Sequence, residues 1–395
     1  MAAGSGREFD VAVVGLGGLG SAAAYWLARR GANVVGFEQF ELGHVRGASH
    51  DHSRIIRRSY HTPEYVRLAA QAYDAWRAVE AESRQRMITI TGGVDLFPVD
   101  AAIDHSTYTH SLDVEHVPYE WIDGAEIRRR WPAFASGSLV TDDVMGVYSP
   151  QTGIVPAGPG TKVMQDLAAA RGAVLRSNTP VRAIRPVGGE VDIVTDEGVQ
   201  RVGSVVITAD AWTNRVLHDL DLSIPLAVLR EQVSYFPHAD LTPFDVGRFP
   251  VWIWMDDPSF YGFPVFGDMA AVKGAEDCGG REVEPDTRTF EPDEQMEGRL
   301  GAFMRDLVGG GFGAPRTTTC LYTLTSDRDF VLDRLPGYPQ VSVALGAAHG
   351  FKFASWFGRT LAGLAMGDEP ADDLTPFSFT RPSLHAPIDR AAWMV

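Results

Sequence analysis

The chain has 395 residues, more than a single hydrophobic core usually organises, so two domains, interleaved or consecutive, are expected. Hydrophobic residues at 45% and charged residues at 22% exclude wholesale disorder and a collagen-like chain. With 35 basic against 51 acidic residues the formal charge is −16, a field that opposes phosphate backbones, so nucleic acid is not an expected partner.

The first residues, MAAGSGREFDVAVVG, lack a basic leader, and their apolar run stops at Gly15, too short for a signal segment or a membrane span. No later run is long enough to cross a bilayer, and the ending AAWMV matches neither a prenylation box nor a peroxisomal tripeptide. Two cysteines, Cys278 and Cys320, cannot build a disulfide framework, and a cytoplasmic protein without membrane attachment is expected.

Phe9 to Val14 reads as a buried strand, followed by Gly15-Leu16-Gly17-Gly18-Leu19-Gly20 and an alanine-rich helix to Arg30. Gly31 suits that helix's end, and Asn33 to Phe37 reads as a second strand closing on Glu38. In this βαβ setting Gly15, Gly17 and Gly20 let backbone N–H groups approach a pyrophosphate at the helix start, and Glu38 can accept from ribose hydroxyls. A dinucleotide site is therefore predicted.

Thr62-Pro63-Glu64 opens a helix whose Tyr65, Leu68, Ala69, Ala72, Trp76 and Val79 recur at helical spacing, a core stripe. From Gly160 to Val206 a helix, a strand, a hairpin turning at Val187-Gly188-Gly189 and a further strand precede Asp210-Ala211-Trp212. Between 227 and 273 the alternating aromatics predict antiparallel sheet. Glu282 to Gly301 reads as loop then helix, Val341 to Leu345 as a buried strand, and His349-Gly350-Phe351-Lys352 as the start of a helix through Met366.

The 35 basic residues include only three lysines, Lys162, Lys273 and Lys352, leaving 32 arginines. A lysine retained in so arginine-biased a chain merits individual inspection, because its ammonium is a compact charge whose pKa falls on burial.

Five motifs in order, Gly15-x-Gly17-x-x-Gly20, Ser49-His50-x-x-x-Arg54-Ile55-Ile56-Arg57, Phe260-Tyr261-Gly262-Phe263-Pro264, Thr319-Cys320-Leu321-Tyr322-Thr323 and His349-Gly350-Phe351-Lys352-Phe353, resemble the monomeric sarcosine oxidase and N-methyltryptophan oxidase family over nearly the whole chain. The resemblance implies an α/β protein. A Rossmann-type FAD-binding domain (1-90, 145-225 and 315-395) would be interleaved with a substrate domain (91-144 and 226-314) on a mixed, largely antiparallel sheet. It implies FAD held covalently through a thioether at Cys320, which by itself reads equally well as a small buried hydrophobe. It implies a small amino-acid substrate and O2 as reaction partners, hydrogen peroxide as a product, and a monomer.

Residue by residue, the resemblance makes Arg57 and Lys352 carboxylate ligands, Arg54 a residue close to the flavin, His50 an active-site histidine and Lys273 the residue that promotes reaction with oxygen. Tyr261 and Tyr322 match active-site tyrosines, although each could simply pack the sheet. His349, Gly350 and Phe351 precede Lys352 at the cofactor. Read from spacing alone, Arg54 and Arg57 share a side only if their segment is helical, and otherwise suit surface ion pairs. His50-Asp51-His52 lacks the third and fourth ligands of a stable metal site, and no metal is expected. Three positions depart from the family: Asp277 replaces a histidine, Asp210 a frequent glycine and Ala348 a glycine. An anionic Asp277 facing the pocket would favour a cationic or hydrogen-bond-donating substrate. The expected reaction is oxidation of a secondary or cyclic amino acid. A flavin dehydrogenase with another acceptor, a flavin-binding protein without turnover and a nicotinamide enzyme are the alternatives.

Overall fold

The computed structural model describes residues 8–390. Strand Phe9–Val14 hydrogen-bonds in parallel to Val34–Phe37 on one side and to Gly198–Ile207 on the other, with Val174–Arg176 beyond Val34–Phe37. Gly198–Ile207 is long enough to serve two further neighbours along its other edge. Its first half pairs with the hairpin Val181–Val187 and Glu190–Thr195, which turns at Gly188 as expected, and its second half pairs in parallel with Tyr338–Leu345. Val331–Leu335 closes this eight-stranded sheet. Its central strands are apolar on both faces because both faces are covered. Helices Gly18–Arg29, Ala157–Ala170 and Ala354–Ala365 pack on one of them. A Cβ on Gly358 would lie 2.4 Å from the carbonyl carbon of Ala22, so glycine and alanine allow the first and last of these helices to touch backbone to backbone.

The second sheet has nine strands and is mixed. Val251–Trp254 runs parallel to Gly93–Phe97, and the remaining named pairings are antiparallel, as the 227–273 texture predicts. Alternation sorts its aromatics by face: Phe260 stacks on Phe303 of helix Glu294–Val308 at 4.1 Å, and Tyr261 points the other way. Met145–Ser149 and Arg316–Leu324, placed by sequence with the FAD-binding part, hydrogen-bond into this second sheet, the latter along most of Ala227–Phe236. Apolar alternation identifies a strand but not the sheet that accepts it.

Helix Pro63–Ser83 carries its predicted stripe inward. Arg54–Ile56 is a strand, paired with Gly153–Val155, and not the helical turn that the Arg54/Arg57 spacing would need. Lys352 lies in the short 3₁₀ turn Gly350–Phe353 ahead of the final α-helix, not within that helix. No helix among the described residues is long and apolar enough to cross a membrane.

Candidate active site

A cavity of about 430 Å³ runs from the glycine turn after the first strand to the loop carrying Lys352. The turn requires glycine for steric reasons. Gly15 has φ +90° and a Cβ there would stand 2.6 Å from Thr208 O, while a Cβ on Gly20 would overlap Gly15 O at 1.8 Å. Gly20 thus seats the helix against the strand, whereas Gly15 and Gly17 line the cavity. Phe351 packs against the same turn, so close that a Cβ on Gly18 would meet its ring at 2.7 Å. Glu38 is buried at the end of the second strand. Its two oxygens accept from Leu16 N at 2.9 Å and Phe40 N at 3.1 Å, and a carboxylate retains acceptor capacity beyond these.

These features fit an FAD. The helix start, the glycine cradle and Glu38 supply the dinucleotide end, and two buried polar atoms on the cavity wall, His50 Nε2 and Asp210 Oδ2, have no protein partner. Burial, with Arg54 nearby, lowers the His50 pKa to about 4, so the ring is neutral near pH 7. Burial lifts the Asp210 carboxyl to about 6.

Further along, Arg54 donates to the main-chain oxygens of Ala48 (2.9 Å), His50 (3.0 Å) and Ser53 (2.8 Å), pinning the loop that precedes its strand. Asp51 lies 3.5 Å from the Arg54 guanidinium and 2.6 Å from Lys273 Nζ, and it accepts from Tyr235 OH. Burial pushes its carboxyl up, but Lys273 and Arg54 outweigh that and hold it well below the usual range. Lys273 also donates to Ser53 O and Ser53 Oγ and sits over the Phe263 ring at 4.7 Å. Burial lowers its ammonium to about 8 despite Asp51.

Two predicted residues stand just behind the cavity wall. Lys273 is covered by Asp51 and Ser53, which do line it, and Cys320 is buried two residues from the lining Tyr322, on the same face of its strand. Burial raises the Cys320 thiol to about 11, with Arg54 opposing the shift.

At the inner end, Arg57 Nη1 donates to Asp95 Oδ1 at 3.2 Å, both groups buried, and its guanidinium lies 5.0 Å over Tyr60. Burial raises the Asp95 carboxyl even with Arg57 beside it. Lys352 has no carboxylate within ion-pair distance among the described residues. Burial, then Arg57 and Arg328, lowers its ammonium to about 7. Its backbone is fixed by Trp76, whose Nε1 donates to Lys352 O at 2.8 Å, so a residue of the core stripe also positions the site. Tyr261 OH and Tyr322 OH are 3.2 Å apart on the cavity wall. His349 contacts Arg328 O through Nε2 at 3.0 Å and stacks on Phe330.

Sequence reasoning missed Asp95, which braces Arg57, and His61, Gln165 and Arg328, which line the cavity, Gln165 donating to Leu16 O in the glycine turn at 3.1 Å. Asp277 does line the cavity, but it is not a bare anion, since Arg328 Nη2 donates to it at 2.7 Å. Cys278 is a half-buried free thiol. Within the His50-Asp51-His52 run, Asp51 is engaged by Lys273 and Arg54.

The two other departures explain themselves in the backbone. Asp210 and Ala348, which stand where glycine was expected, have φ of +47° and +68°. A left-handed conformation costs a non-glycine residue about 1–2 kcal/mol, partly offset by the unfolded-state entropy that glycine adds. Ala348→Gly is expected to stabilise the protein by about 0.5–1 kcal/mol, read as a higher urea midpoint at unchanged slope.

The fold and cavity define a flavin-dependent oxidoreductase, and the chain belongs to the family described as FAD dependent oxidoreductase, whose profile matches residues 10–364. It is 31% identical to monomeric sarcosine oxidase of Bacillus sp. (strain NS-129), over 95% of this chain and 98% of that one. It is 34% identical to the monomeric sarcosine oxidase of Streptomyces avermitilis, over 91% and 94%. Among solved structures, the open form of NikD, an unusual amino acid oxidase essential for nikkomycin biosynthesis, superposes with a TM-score of 0.84 at 27% identity, covering 94% of this chain and 97% of that one.

Proposed function

We propose that this oxidoreductase is an amino-acid oxidase acting on the α C–N bond of a secondary or cyclic amino acid. One observation carries the reading: Lys352, a half-buried cation without a carboxylate partner among the described residues, stands beside Arg57 in a cavity that begins at a dinucleotide turn. A substrate carboxylate supplies the missing anion, and Arg57, already braced by Asp95, presents its remaining N–H groups to it. FAD, when bound, supplies the hydride acceptor and returns the electrons to O2 as hydrogen peroxide.

The Tyr261–Tyr322 hydroxyl pair flanks the amine, and His50 Nε2, neutral and without a protein partner, can accept a hydrogen bond from it. The relatives' names, sarcosine oxidase and N-methyl-L-tryptophan oxidase, support an N-methyl amino acid as the first substrate class to try. Anaerobic mixing with N-methyl and cyclic amino acids should bleach the flavin absorbance, and the matching amides and decarboxylated amines should not. Equal bleaching by acid and amide would refute the carboxylate requirement.

Covalent attachment is part of this proposal. Cys320 lies on the same face of its strand as the cavity-lining Tyr322 and near Arg54, a cation that opposes the rise in its pKa. Acid precipitation is expected to leave yellow colour in the pellet of the native protein and in the supernatant for Cys320→Ser. Free FAD released quantitatively from the native protein would exclude the linkage.

A further inference from the structure

The charges around the inner cavity cancel in pairs. Arg57 is matched by Asp95, and Arg328 by Asp277 across 2.7 Å with side chains only 6% and 19% exposed. His61 and His349 also line this end, and burial lowers both, His61 to about 4, so neither adds charge near pH 7. Nearer the glycine turn, Lys273, Arg54 and Asp51 form a separate group with one net positive charge, its cations held by Asp51, Ser53 and three main-chain carbonyls. At the inner end, what remains is Lys352, one positive charge, which one carboxylate would neutralise.

The Arg328–Asp277 pair is held from both sides. Arg328 adopts φ +60° and its carbonyl contacts His349, while Asp277 N donates to Ser259 O at 2.9 Å. A guanidinium stays protonated across the working pH range, so this cancellation is permanent. A second fixed charge on a substrate would meet no partner here without breaking the pair, a costly step in a buried site.

We propose that Arg328 is a specificity-determining residue: by cancelling Asp277 it restricts the site to amino acids that carry one carboxylate and a neutral side chain. This rests on the amino-acid oxidase reading above and adds the side-chain class to it. It also reverses what Asp277 alone suggests, which is a preference for cationic substrates.

The test uses the flavin-loaded enzyme and three α-N-methyl amino acids of similar length, with neutral (norleucine), cationic (lysine) and anionic (glutamate) side chains. Apparent dissociation constants come from the concentration dependence of anaerobic flavin bleaching. The native enzyme should prefer the neutral compound by tenfold or more. Arg328→Gln exposes Asp277 and should improve the cationic compound at least tenfold relative to the neutral one. Asp277→Asn removes the carboxylate opposite Arg328 and should do the same for the anionic compound. The second variant decides the matter if the first does not fold. A shift in the stated direction in either variant supports the proposal. A native preference for a charged side chain, or an unchanged ranking in every variant that folds, overturns the role of Arg328 and leaves the carboxylate clamp standing. If no compound perturbs the native flavin, the amino-acid oxidase reading fails, and this inference with it.

Discussion

Replacing Lys273 with methionine is expected to slow reoxidation of the reduced enzyme by about a hundredfold while leaving its reduction by substrate much less affected. Removing one preorganised charge from a water-excluded site costs on the order of 3 kcal/mol, which is that factor in rate. The structure makes the charge change explicit. Lys273, Arg54 and Asp51 together carry one net positive charge, and Lys273→Met reduces it to zero beside the cavity where oxygen would take up electrons. The substitution also leaves Asp51 buried with only Arg54 and Tyr235 to compensate it, so a stability loss of about 3–5 kcal/mol should accompany the kinetic defect. Lys273→Met combined with Asp51→Asn removes the stranded carboxylate. It should recover much of that stability, and because Arg54 then stands unpaired, part of the reoxidation rate. Rapid-mixing measurements of the two half-reactions separate the outcomes: equal slowing of both would place Lys273 in substrate binding.

The parts of this site legible in the sequence are those written in local spacing. Glycines at 15, 17 and 20 after an apolar run, an acid after the next strand and a stripe from Tyr65 to Val79 specify strand, turn and helix through nearest-neighbour geometry, and all lie as predicted. The charge partners are another matter. Arg57 meets Asp95, Asp277 meets Arg328 and Lys273 meets Asp51, pairs separated by 38, 51 and 222 positions, and no periodicity connects them. Their absence from a linear reading misassigned the electrostatics of Asp277, although it placed the residue on the cavity wall. The strand carrying Cys320 pairs with Ala227–Phe236, about ninety positions away, and β pairing is likewise decided by which edge is available in three dimensions. Asp210 and Ala348 show the converse. Sequence flagged them as departures from glycine, and their positive φ supplies the reason glycine is favoured there.

Arg57→Met is expected to weaken carboxylate binding ten- to a hundredfold, from the loss of charge-assisted hydrogen bonds of roughly 1.5–3 kcal/mol. It should also destabilise the fold by about 3–5 kcal/mol, because Asp95 would remain buried and uncompensated. Arg57→Met with Asp95→Asn tells the two effects apart, recovering stability but not binding. The other half of the clamp is expected to impose a pH dependence. In the free site burial, then Arg57 and Arg328, lowers Lys352 to about 7, against an ordinary lysine value above 10. A bound carboxylate favours the ammonium and raises that pKa, so binding above pH 7 must take up a proton. Affinity should therefore be flat below about pH 7 and fall towards tenfold per pH unit above it, until the pKa of the bound state is reached. The ligand should be a simple carboxylate without an amine, so that only protein groups titrate, and binding should be followed by the flavin difference spectrum. His61, lowered to about 4, is already neutral in this window. Lys273, near 8, is separated from the ligand by Asp51 and Ser53. Lys352→Met should weaken binding at pH 6 and remove the slope above pH 7. A slope that persists in that variant would assign the titration to a group other than Lys352, and unchanged affinity at pH 6 would exclude Lys352 as the second carboxylate ligand.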